Sequence, residues 1–328
     1  MKEILTRLYE HRHLSREEAR DILIRIGNDQ YNQAQLASFL TVYLMRAISV
    51  EELQGFREAL LELCRPVDLD GRPAIDIVGT GGDGKNTFNI STLSAFVIAG
   101  AGYPVCKHGN YSVSSNCGSS NVLEALGYTF SPEADELKRQ LDKAGICFLH
   151  APLFHPAMKF VAPVRRQLGV KTFFNMLGPL VNPAQPQYQL FGVFNQQLGR
   201  LYQYILQDAQ KDFSVVYALD GYDEVSLTGP FKRYTSRSEE LLEPEDMGLG
   251  RYAPEALYGG DTVPEAADIF KRILEGEGTA AQENVVIANA GLAIHTIKPE
   301  TALADCIAEA GESLQSGKAN QVLKNLVN

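Results

Sequence analysis

Residues Asp76 to Thr92 read DIVGTGGDGKNTFNIST. The stretch nearly satisfies two incompatible fingerprints. Gly79, Gly81 and Gly84 fit the dinucleotide pattern G-x-G-x-x-G, and Gly79 to Lys85 fit the start of a P-loop, G-x-x-x-x-G-K. The P-loop fails at Asn86, where Ser or Thr is needed to hold magnesium. The dinucleotide pattern needs an acid about 20 residues further on, yet no Asp or Glu occurs from Gly84 to Leu123. What survives is common to both. A strand runs into a glycine turn whose N–H groups can approach an anion, and a helix N-terminus follows at Asn89–Thr92.

Downstream, a second strand over Tyr103 to Lys107 brings Lys107 to the same sheet edge, where open α/β sheets bind ligands. The next loop, Gly109 to Ser120, holds Ser112, Ser114, Ser115, Ser119 and Ser120 ahead of another helix. Two anion cradles side by side suit a ligand with two phosphate groups. Further on, HPAMKFVAPVRRQLGVKT (His155 to Thr172) carries Lys159, Arg165, Arg166 and Lys171 with no acid. Its apolar residues Phe160, Val161, Val164 and Leu168 predict a half-buried helix, with an Arg aimed at a carboxylate. The opposite charge gathers after a later strand, where Asp220, Asp223 and Glu224 lie on one turn. Such carboxylates can hold Mg²⁺, which takes one or two of them plus phosphate oxygens.

The organisation follows the periodicity. Residues 1 to about 65 read as helices only. Ser15–Glu18 and Ser49–Glu52 are capping boxes, and Leu36, Phe39, Leu40, Tyr43 and Leu44 recur at helical spacing. The segment Arg65 to Pro73, with two prolines and a glycine, reads as a linker. Strands and helices then alternate: strands at 74–78, 103–107, 146–150, 188–194 and 213–219, helices at 91–101, 119–126 and 155–168, and a helical tail from Pro264. The prediction is an α/β protein with a small N-terminal helical domain (residues 1–70) and a larger α/β domain (residues 71–328).

A net charge of −10 supplies no global field for nucleic acid, so phosphate binding must be local. Five scattered cysteines without a C-x-x-C pair fit free thiols in a reducing cytosol. The charged N-terminus has no signal-peptide core, and no apolar run is long enough for a membrane. A cytoplasmic protein with no membrane or nucleic-acid partner is expected.

GTGGD (79–83), NIST (89–92), KHGN (107–110), SSxxGS (114–119), HPAMKxVxPVRRxLG (155–169), FNxLGPLxNP (174–183) and Asp223-Glu224 occur in this order. Together they resemble the anthranilate phosphoribosyltransferase family of tryptophan biosynthesis, over nearly the whole chain. The resemblance implies a nucleoside phosphorylase/phosphoribosyltransferase-like fold and a homodimer joined through the helical domain. It implies an enzyme, a Mg²⁺-dependent glycosyltransferase with two ions per site, that moves the phosphoribosyl group of phosphoribosyl diphosphate to the amine of anthranilate. By the same resemblance, Gly79, Gly82, Asp83, Thr87, Asn89, Ile90, Ser91, Thr92, Lys107, His108, Gly109, Asn110, Tyr111, Ser112, Val113, Ser114, Ser115 and Ser119 contact phosphoribosyl diphosphate. Gly79, Asn110 and Arg165 contact anthranilate, and Ser91, Asp223 and Glu224 hold magnesium. His108, Pro152, His155 and Met158 are candidates for selecting the acceptor.

Two positions depart from the family pattern: Tyr111 stands where Arg usually follows KHGN, and GSSN (118–121) replaces GSAD. Two alternatives stand against this reading. One is a pyrimidine-nucleoside phosphorylase-like enzyme, which the Arg165 segment disfavours. The other is a non-catalytic nucleic-acid-binding relative, which would have lost Asp223 and Glu224.

Overall fold

The computed structural model describes residues 1–111 and 117–328. The chain divides into two units, one of Met1–Val67 with Ala151–Gln185, the other of Asp68–His150 with Pro186–Asn328.

The first unit is helical. Its N-terminal part holds the helices Lys2–Tyr9, Arg16–Gly27, Gln33–Met45 and Val50–Leu63. Both expected capping boxes form, Ser15 with Glu18 and Ser49 with Glu52. Glu52 does more than cap. Its buried carboxylate accepts from Arg46 (2.6 and 2.9 Å), Leu14 N (3.0 Å), Ser49 N (3.0 Å) and the Tyr43 hydroxyl (3.2 Å). Burial opposes the charge, but these donors outweigh it and hold the carboxyl at about 2.

Residues 151–185, expected within the α/β domain, pack into this unit through the helices Ala151–Phe154, Met158–Leu168 and Phe174–Leu177. The reason is apolar. Phe173 stacks on Phe56 at 4.6 Å and meets Phe39 and Tyr43 edge-on, so the core of the N-terminal helices is closed by a residue more than a hundred positions later. Backbone bonds from Arg65 N to Phe154 O (2.8 Å) and Val67 N to Pro183 O (3.2 Å) tie the segment down.

The second unit is a seven-stranded sheet: β1 (Ile75–Gly79), β2 (Val105–Gly109), β3 (Ile146–His150), β4 (Tyr188–Gly192), β5 (Asp212–Ala218), β6 (Phe231–Thr235) and β7 (Glu239–Leu242). The order is β3-β2-β1-β4-β5-β6-β7. The first five strands are parallel, and β6 and β7 are antiparallel additions that sequence reading missed. The order reverses at β1, which lies between β2 and β4, so the crevice beyond the carboxyl ends of these strands is the expected ligand position. The helices Ile90–Gly100 and Ala280–Ile297 are buried along most of their lengths, which is why both read as nearly continuous apolar runs.

Candidate functional site at the carboxyl edge of the sheet

The site is built from the loops that leave β1, β2 and β5. After β1 the chain turns through Gly81 (φ 66°) and Gly82 (φ 82°), left-handed conformations that side chains disfavour. The turn is clipped from outside. Asn86 Nδ2 donates to Gly260 O (2.9 Å), Gly259 N to Asn86 O (2.9 Å) and Phe88 N to Leu257 O (3.1 Å). This clip, residues 257–260, was not anticipated. Lys85 lays its ammonium 4.6 Å from the centre of the Tyr222 ring, and its N–H donates to Asp83 Oδ1 (3.0 Å).

The acidic turn after β5 reaches across the sheet to this loop. Gly81 N donates to Asp223 Oδ2 (2.6 Å), and Ser91 N, in the first turn of the Ile90–Gly100 helix, donates to Glu224 Oε1 (3.1 Å). Two glycines make room for the crossing. A Cβ on Gly192 would lie 1.5 Å from Asp223 O, and one on Gly79 would lie 2.4 Å from Asp223 Oδ2. Two N–H groups, one in the glycine turn and one at the helix start, are therefore engaged by carboxylates of the protein itself. Burial, and then the negative charge of Asp83, raise the Asp223 carboxyl. Burial and the charges of Asp223 and Asp83 raise that of Glu224.

Lys107, at 1% exposure, donates its ammonium to Ile77 O (2.5 Å) and reaches Ser91 Oγ at 3.5 Å. Burial lowers its pKa, opposed by the charges of Asp76 and Glu224. Asp76 accepts from His108 N (3.2 Å), so side chains help join β1 to β2. Sequence reading passed over Asp76, although a lone acid inside AIDIVG was a visible signal.

The second loop is held close. Ser119 Oγ and Ser120 N both donate to Asn110 O (3.2 Å each), and Asn89 Nδ2 donates to Cys117 O (3.1 Å). A Cβ on Gly109 would meet Ser119 Oγ at 2.5 Å. Thus Gly79, Asp83, Ser91, Lys107, Asp223 and Glu224 are brought together, with Gly109, Asn110 and Ser119 grouped beside β2. Thr87 pairs with Tyr258, while Ile90, Thr92 and His108 are buried. Ser112, Val113, Ser114 and Ser115 lie outside the described residues.

The two departures have local explanations. Tyr111 meets His150 in a T-shaped contact (ring centres 4.7 Å apart) and donates its hydroxyl to Glu124 (2.7 Å). Asn121 accepts from Gly118 N (3.0 Å), which preserves a helix cap without a charge.

Arg165 belongs to the helical unit, on the Met158–Leu168 helix. Its Nη2 donates to Asn175 Oδ1 (3.1 Å), and its guanidinium lies 5.4 Å from the centre of the Phe174 ring. Asn175 Oδ1 also accepts from Thr172 N (3.1 Å), which orients the amide. Burial lowers the Arg165 pKa, and the partner is a neutral amide, so this cation is suited to take a carboxylate from outside.

Among the described residues no group of three or more His, Cys, Asp or Glu is arranged to hold a metal alone. Asp223 and Glu224 still fit magnesium. They are adjacent acidic side chains at the carboxyl end of β5, and Mg²⁺ takes its remaining oxygens from water and phosphate.

Comparison with known proteins places this geometry. Residues 2–64 match the helical bundle domain of the Glycosyl transferase family, and residues 71–320 match its a/b domain. The chain is 58% identical to the anthranilate phosphoribosyltransferase of Cytophaga hutchinsonii, covering 100% of both proteins. The crystal structure of anthranilate phosphoribosyltransferase from Thermus thermophilus superposes with a TM-score of 0.92 at 35% identity, covering 98% of each chain. That of Saccharomyces cerevisiae, in complex with PRPP and Mg, gives 0.87 at 28% identity, covering 96% of this chain and 93% of that one. Family domains in the right order, and likeness to relatives from end to end, agree with the loops at the sheet edge: the chain belongs to the anthranilate phosphoribosyltransferase family.

Proposed function

We propose that the chain transfers the 5-phosphoribosyl group of phosphoribosyl diphosphate to the amine of anthranilate, giving N-(5-phosphoribosyl)anthranilate and diphosphate. The observation that carries this reading is the acidic turn threaded over Gly192 and Gly79 onto the glycine loop and the Ile90–Gly100 helix. It sets carboxylates beside an anion cradle, as a diphosphate with its counter-ion requires. The names of the relatives favour this reaction over nucleoside phosphorolysis and over nucleic-acid binding.

The residues divide the work. Gly79, Gly82, Asp83, Thr87, Asn89, Lys107, Asn110 and Ser119 surround the phosphates and ribose, with Ile90, Thr92, His108, Gly109 and Tyr111 shaping the walls and Ser112–Ser115 completing the site. Ser91, Asp223 and Glu224 would hold two magnesium ions, whose charge would offset that of the leaving diphosphate. Lys107 adds a buried cation below Ser91. Arg165 pairs with the ortho carboxylate of anthranilate, and Gly79 and Asn110 contact the same acceptor. The amine forms the C1–N bond as the C1–O bond to diphosphate breaks, and the amine proton leaves to water. No strong general base is needed, because the leaving group departs as a stabilised anion.

The helical unit exposes Tyr9 (57%), Leu44 (46%) and Met45 (78%) on neighbouring helices, which supports a homodimer through this unit. Sedimentation at micromolar concentration tests it. No helix among the described residues is long and apolar enough to cross a membrane, and we place the enzyme in the cytoplasm.

The reaction is tested by following anthranilate fluorescence. Loss that needs enzyme, phosphoribosyl diphosphate and Mg²⁺ together is the expected result. Binding of phosphoribosyl diphosphate without any loss of anthranilate would overturn the acceptor.

A further inference from the structure

The Ala280–Ile297 helix reads AAQENVVIANAGLAIHTI, and in its buried middle stands one amide, Asn289, at 2% exposure. Asn289 Oδ1 accepts from Val225 N (3.1 Å), and Nδ2 donates to Val225 O (2.8 Å) and to Val285 O (2.8 Å). The side chain therefore takes both backbone groups of a single residue, as a neighbouring strand would. That residue directly follows Glu224. On the other side, the same turn is pressed against the glycine positions 79 and 192.

We propose that Asn289 is a positioning residue that clamps the acidic turn and so pre-organises Asp223 and Glu224 for the cation. The proposal rests on the reading of those two carboxylates as magnesium ligands. The physical need is clear in the free enzyme. Two adjacent carboxylates repel one another before any cation arrives, and the repulsion favours a turn that swings away. A two-point backbone clamp from a helix buried in the core resists that movement. It also holds Glu224 where Ser91 N can reach it. Groups that orient ligands from behind typically change metal affinity by about 10- to 100-fold when removed.

The test measures binding rather than turnover. Phosphoribosyl diphosphate is titrated calorimetrically into the full-length protein over a series of Mg²⁺ concentrations. Asn289→Leu, which removes the clamp, is expected to raise the Mg²⁺ concentration for half-maximal binding by about 10-fold. The KM for anthranilate should stay as in the wild type. Asn289→Ser, a milder change able to bond Val285 O from within the helix, serves if the Leu variant does not fold, and should shift in the same direction. Ser313→Ala removes another buried hydrogen bond of the same unit, to Val97 O (2.7 Å), and controls for lost stability. An unshifted Mg²⁺ requirement in the Asn289 variants, or an equal shift in Ser313→Ala, overturns the clamp. If wild-type binding itself shows no Mg²⁺ dependence, the metal reading fails and the clamp fails with it. That outcome is distinct from a Mg²⁺-dependent wild type with unshifted variants.

Discussion

Asp223 and Glu224 are partly satisfied by the protein, through Gly81 N and Ser91 N, while their charges still oppose each other. A bound cation would relieve the opposition. Replacing both by amides, Asp223→Asn with Glu224→Gln, is expected to lower kcat by on the order of 10³-fold. The Mg²⁺ dependence of phosphoribosyl diphosphate binding should disappear as well. Calorimetry with and without the ion checks this, and retained dependence would move the ions elsewhere. Arg165 is a different case. Its amide partner orients it without neutralising it, so Arg165→Ala should raise the KM for anthranilate by about 10- to 100-fold, the worth of a charge-assisted bond. The KM for phosphoribosyl diphosphate should change much less, and steady-state kinetics with each substrate varied in turn separate the two. Equal effects would assign Arg165 to the phosphate side.

At the scale of elements, the acidic turn works only because the strands it crosses end in glycine. Gly192→Ala places a methyl 1.5 Å from Asp223 O, a contact that only backbone movement can relieve. The expected result is a stability loss of about 1–3 kcal/mol, read as a lowered Tm, together with a raised Mg²⁺ requirement. A variant with wild-type melting and wild-type Mg²⁺ response would mean that the turn does not lie across β4. The strands of the parallel sheet were legible in the sequence, since each is a short apolar run bounded by turn residues, and Ile146–His150 stands out with its true ends. The antiparallel pair β6 and β7 was not. Its residues FKRYT and EELL carry too much charge to announce strands, because an edge hairpin shows one face to water. The glycine turn after β1 was legible through Gly79–Asp83. Asn289 and the 257–260 clip were not, because their roles depend on backbone groups far away in sequence, where no spacing rule reaches.

For the molecule as a whole, acid is the informative stress. Burial pushes the His155 imidazole down to about 4. The unfolded chain takes up that proton near the ordinary value of about 6.5, so the stabilisation is complete above pH 6.5 and is lost as pH falls toward 4. The loss amounts to about 3 kcal/mol. His155→Gln should flatten the stability profile in that window, as denaturant titrations at several pH values would report; an unchanged slope would exclude His155 as its source. Glu52 acts lower. Its folded value of about 2 means that its contribution is present above the usual carboxylate range and fades between pH 4.5 and 2.

The helical unit is made of two pieces of chain, Met1–Val67 and Ala151–Gln185. This dictates an order of events during synthesis. The first four helices leave the ribosome early, yet Phe173, which completes their aromatic core, follows about a hundred residues later. At roughly 5–20 residues per second, the nascent bundle waits on the order of ten seconds with Phe39, Tyr43 and Phe56 incompletely covered. Exposed apolar surface of this kind is aggregation-prone, and a slow codon between positions 67 and 173 would lengthen its exposure.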